Sequence, residues 1–153
     1  MSEGNDAIDL TLKTLENLKT FENFRKRGDK FFTISNLINS CLGLIVYPNA
    51  YLNKRIEKVP EDEITTNNSR YGNIRVIDNK INSRTERLKC IRQHVANALT
   101  KGNIILLGKG NTINAIRLYD YTNDELTFDM AITSFQLKQL AVDIANLFMT
   151  QDQ

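Results

Sequence analysis

Arg87, Lys89, Arg92 and Lys101 crowd one short stretch and belong to a longer basic segment. Between Arg70 and Lys101 the cations are Arg70, Arg75, Lys80, Arg84, Arg87, Lys89, Arg92 and Lys101, opposed only by Asp78 and Glu86. From Asn111 to Gln153 the balance reverses: Asp120, Asp124, Glu125, Asp129, Asp143 and Asp152 face Arg117 and Lys138. Cations gathered in this way attract phosphates. The plainer reading is a solvated helix face whose charges meet acidic neighbours in the fold. The same stretch holds the one His of the chain, His94, four residues after Cys90. That spacing sets a thiol and an imidazole on one side of a helix, as in a cysteine nucleophile with its base, but no orienting acid lies nearby in sequence. One His and two Cys, Cys41 and Cys90, leave no zinc ligand set and no disulfide framework, so neither metal nor cofactor is expected.

Other arrangements are missing. There is no Gly-Xaa-Ser-Xaa-Gly elbow, and the run from Gly108 to Asn111 has too few glycines for a phosphate loop and reads as a turn between strands. The longest apolar run, around Leu42 to Val46, is far shorter than the ~20 residues of a membrane span. The acidic, polar N-terminus is unlike a secretory signal. These features point to a reduced, cytoplasmic protein. With 153 residues, 41% of them hydrophobic and 25% charged, the chain fits one globular domain over 1–153.

The elements that must position the basic segment follow from periodicity. Ile8, Leu12, Leu15 and Leu18 recur at helical spacing and predict an amphipathic helix over 5–27, closed by Arg25-Lys26-Arg27 before Gly28. Residues 29–47 are apolar nearly all round and predict a buried helix ended by Pro48. Residues 49–79, with Pro60, the acidic run Glu61-Asp62-Glu63 and the Asn67-Asn68-Ser69 cluster, read as an irregular connection. A helix over 82–101, capped by Asn82 or Ser83 and closed by Gly102, has Leu88, Ile91, Val95 and Leu99 as its buried stripe. The period then shortens. Residues 103–129 predict two strands around a turn and a third short strand, and 133–150 return to helical spacing. The expected fold is mainly α: a four-helix bundle with a small antiparallel hairpin, three strands at most, before the last helix.

Leu88-Lys-Cys-Ile-Arg-Gln-His-Val-Ala-Asn contains an Arg early in a buried helix, followed five residues later by a polar side chain. That pattern resembles the signature of the HEPN domain family: an Arg, a polar residue, then a His after four to six residues. Arg92 matches the Arg and Gln93 the polar position, while Asn97 stands where the His belongs. Two further stretches resemble a subgroup of the family, Asn39 to Pro48 and the ending that runs through Ile116-Arg-Leu-Tyr-Asp and Leu-Thr-Phe to the last helix. The resemblance spans roughly Phe32 to Met149. It implies a helical bundle that dimerises, with two motif helices facing each other. It also implies a metal-independent endoribonuclease or RNA-binding protein of a toxin–antitoxin or anti-phage system, with RNA and an antitoxin as partners. Arg92, His94 and Asn97 are then the candidate catalytic residues, and Gln93, Arg87, Lys89 and Lys101 the candidate RNA or phosphate contacts.

Metal-free RNA cleavage needs a base at the 2′-OH, an acid for the leaving oxygen and a cation for the phosphorane charge. Arg supplies the cation and binds phosphate oxygens in pairs. A His titrating near about 6.5 supplies the acid or base. Asn97 has no proton to exchange and can only orient a phosphate or water. On a helical wheel Arg92 and His94 stand on opposite flanks, about 160° apart, with Gln93 and Asn97 on the outer face. His94 could therefore meet only a partner's Arg92 across a two-fold axis, and the outer face suits a dimer seam equally well. Structural readings remain open: a hydrogen-bonded His94, and an Arg92 whose stem lies on the core while its head pairs with an acid. The alternative to an enzyme is a catalytically inactive HEPN scaffold that binds protein or nucleotide partners.

Overall fold

The computed structural model describes residues 3–25, 30–46, 49–64, 68–77, 81–109 and 112–150. Helix α1 (Glu3–Arg25) and helix α2 (Lys30–Cys41) come first, and α2 runs on into one wider π turn, Leu42–Val46. Leu18, Leu37, Cys41, Leu44 and Ile45 enter the core, whereas Leu42 keeps 36% of its surface exposed, so this second segment is buried on one side only. Full burial pushes the Cys41 thiol up to about 12, which leaves it an inert core group. The expected helix ends at residues 26–29, the stop at Pro48 and the tip of the turn at Gly110 and Asn111 lie outside the described residues.

Helix α5 (Arg84–Lys101) is delimited by local chemistry. The Ser83 hydroxyl accepts from the Glu86 N–H at 3.1 Å, and the Glu86 carboxylate reaches back to the Asn82 N–H at 3.1 Å. The Ser83 cap satisfies a donor the helix itself leaves unpaired, and Glu86 ties down the residue before the cap. Gly102 closes the other end at φ +71°, a left-handed conformation that glycine adopts at little cost. Helix α6 (Ser134–Thr150) packs Leu137, Leu140, Ala141, Ile144 and Ala145 into the core.

The expectation of a mainly α bundle carrying a small hairpin is overturned. The chain is mixed α/β, with a four-stranded antiparallel sheet: β1 (Asn73–Val76), β2 (Ile104–Lys109), β3 (Thr112–Thr122) and β4 (Glu125–Ile132), in the order β1-β4-β3-β2. Strand β3 turns into β4 through Asn123 and Asp124, both at positive φ, as a two-residue hairpin demands. Ile116 and Leu118 of β3 and Phe128, Met130 and Ile132 of β4 are buried at alternate positions, so one face of the sheet is laid on the helices. Each such side chain contributes about 1.5–3 kcal/mol.

The fourth strand comes from the segment expected to be irregular. Residues 49–79 hold helix α3 (Asn49–Ile56), a 3-10 turn at Glu61–Glu63, the one-turn helix α4 (Asn68–Tyr71) and β1. Ile56, Val59 and Ile64 form a second core with Leu88 of α5. The acidic run also steadies α5. Glu61 Oε1 accepts the Arg84 N–H at 2.7 Å, placing a carboxylate at the positive end of that helix. Asp143 of α6 accepts two bonds from Arg70 (2.7 and 3.0 Å), one from the Tyr71 hydroxyl (2.6 Å) and one from Gln139 (2.8 Å). Burial pulls the Asp143 carboxyl upward, but these bonds outweigh it and hold the group below the usual range.

β1 enters the sheet directly after Gly72, whose φ is +93°. A Cβ there would stand 2.5 Å from the Ala131 carbonyl oxygen. Gly72→Ala is expected to cost about 2 kcal/mol, from strain at positive φ and displacement of β4. The measurement is the urea midpoint, which should fall at unchanged slope.

Candidate functional site

Helix α5 has two seams. Leu88, Ile91, Val95, Ala98 and Leu99 are buried on one side. On the other, Arg87, Cys90, His94, Asn97 and Lys101 recur at spacings of three and four, a polar stripe along the helix. Strand β3 lies against this helix, and its Asp120, 1% exposed, is the group the stripe converges on. His94 Nδ1 lies 2.9 Å from Asp120 Oδ2, Asn97 Nδ2 donates to the same oxygen at 2.9 Å, and Lys101 Nζ donates to Oδ1 at 3.0 Å. The Tyr121 N–H adds a fourth bond to Oδ1 at 3.0 Å. The β3–β4 pairing shifts register between Asp120 and Tyr121, a bulge of the kind that re-aims a side chain.

Burial alone would raise the Asp120 carboxyl, but the bonds from Asn97, His94 and Lys101 overcome that cost and hold it below the ordinary Asp value. The group is therefore a carboxylate, and it accepts a hydrogen bond from the His94 Nδ1–H. In the neutral imidazole the lone pair then sits on Nε2. The ring is fixed a second way: it stacks on Phe128 with centroids 5.0 Å apart and planes 5° from parallel. Phe128 is directly opposite Asp120 across the β3–β4 ladder, so one cross-strand pair holds both the edge and the face of His94.

Arg92 joins the same constellation from the opposite flank. Its side chain is wholly buried, the largest such residue in the core. Nη2 donates to Gln93 Oε1 at 2.8 Å, Gln93 Nε2 donates to Asn97 Oδ1 at 3.0 Å, and Asn97 passes the chain on to Asp120. A guanidinium and a carboxylate are thus connected through two amides whose dipoles all point one way, and such chains strengthen cooperatively. The guanidinium is otherwise poorly served. Nη1 reaches the Ile45 carbonyl of the π turn at 3.4 Å, and Nε has no partner among the described residues. Burial lowers its pKa below the usual Arg value.

Of the residues singled out by sequence, Arg92, Gln93, His94, Asn97 and Lys101 are brought together. Arg92 and His94 communicate within one chain, through Gln93, Asn97 and Asp120, although they stand on opposite flanks of the helix. Gln93 and Asn97, on the face that also suited a dimer seam, are engaged by this network. Lys89 is elsewhere, paired with Glu57 of the segment after α3. Arg87 is one heptad before His94 on the polar stripe, about 10 Å along the helix.

Asp120 does not stand out in the sequence because its side-chain partners are 19 to 26 residues away. A signal was present: alternation along Ile116, Leu118 and Asp120 puts a carboxylate at an inward position, where a charge demands partners.

A family model described as HEPN pEK499 p136 matches residues 1–153. The chain belongs to the HEPN family. No curated protein and no solved structure matches it. In this HEPN chain Arg92 and Gln93 are linked to Asn97 by side-chain hydrogen bonds. Asn97 uses what an amide has and a carboxylate lacks, an acceptor for Gln93 and a donor for Asp120 at once. Among the described residues no group of three or more His, Cys, Asp or Glu is placed to hold a metal ion, and no helix is long and apolar enough to cross a membrane.

Proposed function

We propose that this HEPN chain acts on RNA as a metal-independent endoribonuclease in which His94, not the residue at the motif His position, moves the proton. One observation carries the reading. His94 is clamped by Asp120 and Phe128, keeps 13% of its side chain exposed, and lies midway between Arg87 and Lys101 on one stripe. His94 Nε2 accepts the 2′-OH proton, the 2′-oxygen attacks the adjacent phosphorus, the P–O5′ bond breaks to leave a 2′,3′-cyclic phosphate, and solvent water protonates the departing 5′-oxygen while His94 releases its proton to solvent. Arg87 and Lys101 draw the phosphates along the stripe. Arg92 is a positioning group: it acts through Gln93 and Asn97 on the carboxylate that orients His94. A toxin–antitoxin or anti-phage setting, with an antitoxin partner and a cytoplasmic location, accords with the family.

The burial of Arg92 favours a second reading, a HEPN scaffold that binds RNA or protein without turnover. Incubating the chain with single-stranded RNA in EDTA separates the two. The first reading expects 2′,3′-cyclic ends and a loss of at least about 100-fold in His94→Ala. Salt-sensitive binding with no cleavage supports the scaffold. Cleavage unchanged in His94→Ala would falsify the role given to His94.

A further inference from the structure

The helices lie against one face of the sheet, where Ile116, Leu118 and Asp120 of β3 and Phe128 and Met130 of β4 are buried. Arg117 and Tyr119 alternate with those β3 residues and so stand on the opposite face. Tyr121 joins them there. Its ring is edge-on to that of Tyr119, with centroids 6.0 Å apart and planes 87° from parallel, and the residue is 50% exposed. Asp129, directly across the ladder from Tyr119, accepts Arg117 Nε at 2.9 Å and Nη2 at 3.1 Å. That fork holds the guanidinium in place, and its Cζ lies 5.1 Å from the Tyr119 ring centroid. Asp129 answers the charge of Arg117, so what the residue adds to the surface is a flat, weakly hydrated plane. Two phenol rings and a guanidinium side by side are the kinds of group on which unpaired bases stack.

This platform is continuous with the polar stripe of α5. Asp120 Oδ1 accepts both Lys101 Nζ and the Tyr121 N–H at 3.0 Å, so the ammonium that ends the stripe and the backbone of Tyr121 meet at one oxygen. Lys101 itself is 53% exposed. Two residues beyond it, the Asn103 carbonyl accepts the Tyr119 N–H at 3.3 Å. A polynucleotide drawn along the stripe past His94 and Lys101 therefore arrives beside the tyrosines. Asp124 and Glu125, exposed at the β3–β4 turn, repel phosphate and bound the platform on its far side.

We propose that Tyr119, Tyr121 and Arg117 form a stacking subsite for the bases of single-stranded RNA, next to the stripe that carries His94. The inference rests on the reading of this chain as acting on RNA and adds to it a choice of substrate. Arg87 and Lys101 meet phosphates in a single strand or a duplex alike. The tyrosines reach only bases freed from pairing, so the subsite selects single strands.

Fluorescence anisotropy of a short labelled 2′-O-methyl RNA strand measures binding apart from cleavage, because that strand has no 2′-OH to be deprotonated. Tyr121→Thr is expected to weaken binding at least about fivefold at an unchanged salt slope, since stacking is lost and no charge is. Its thermal midpoint should hold, because the position is half exposed and threonine suits a strand. Tyr121→Phe is expected to bind as the wild type does, and a duplex of the same sequence to bind wild type and Tyr121→Thr alike. Single-strand binding indifferent to Tyr121→Thr overturns the subsite and leaves this face to a protein partner. In that event a weaker, less salt-sensitive Lys101→Ala keeps the RNA reading of the stripe standing. A Tyr121→Phe as weak as Tyr121→Thr overturns stacking as the cause. A wild type that binds neither strand nor duplex removes the RNA reading and the subsite together.

Discussion

Asp120→Ala is expected to lower the unfolding free energy by about 3–5 kcal/mol, because it strands a buried set of donors instead of deleting one contact. Asp120 accepts from His94, Asn97, Lys101 and the Tyr121 N–H. Lys101 is 53% exposed and returns to water, so the cost falls on the other three. Asp120→Asn retains one acceptor oxygen and should cost less, yet it removes the charge that orients His94, so RNA cleavage should fall while most of the stability remains. Urea unfolding of the three proteins at neutral pH, beside their cleavage rates, checks both statements. The pH dependence follows from the direction of the shift. The folded carboxyl titrates below the unfolded value of about 3.9, so its stabilisation is fully present above that pH and is lost as pH falls through the folded value. The difference between wild type and Asp120→Ala should therefore be level near neutrality and shrink below about pH 4.

Two substitutions of Arg92 are expected to move stability in opposite directions. Arg92→Ala empties the place of the largest wholly buried side chain and leaves Gln93 Oε1 without its donor, at a cost of about 3–5 kcal/mol. Arg92→Met fills most of that volume, although it too leaves Gln93 Oε1 without its donor, and it removes a buried cation that among the described residues pairs with no carboxylate and has an unpartnered Nε. Replacing buried ions by apolar groups of similar size is neutral or stabilising by about 1–4 kcal/mol. Thermal unfolding of both variants decides the matter. If Arg92→Met is as stable as wild type and fails to cleave RNA, the charge is kept for function. If it is as damaged as Arg92→Ala, the relay to Asp120 holds the fold together and Arg92 is a structural residue.

Helix α5 was legible in the chain because its limits are local. Ser83, Glu86 and Gly102 act on neighbours within a few residues, and the apolar stripe from Leu88 to Leu99 needs only the helical period. Strands β2, β3 and β4 fall where the period shortens after residue 103, because alternation too is a local signal, but the β3–β4 turn at Asn123 and Asp124 was not read from the chain. β1 was not legible. Asn-Ile-Arg-Val is too short for its alternation to stand out, and its hydrogen bonds come from β4, more than fifty residues on. Residues 49–64 read as irregular because Pro60 and the acidic run outweigh the few apolar positions, Ile56, Val59 and Ile64, that dock on Leu88.

The functional residues divide along the same line. Which side chains α5 offers, Arg92, Gln93, His94, Asn97 and Lys101, is a matter of order along the chain. Where they point is not: the Arg92 guanidinium is buried by a carbonyl 47 residues earlier, and His94 is oriented by a carboxylate 26 residues later. A helical period distributes side chains around an axis but says nothing of what will be packed against each side. That depends on contacts between distant segments, whose energies are summed over the whole core and written in no single stretch of residues.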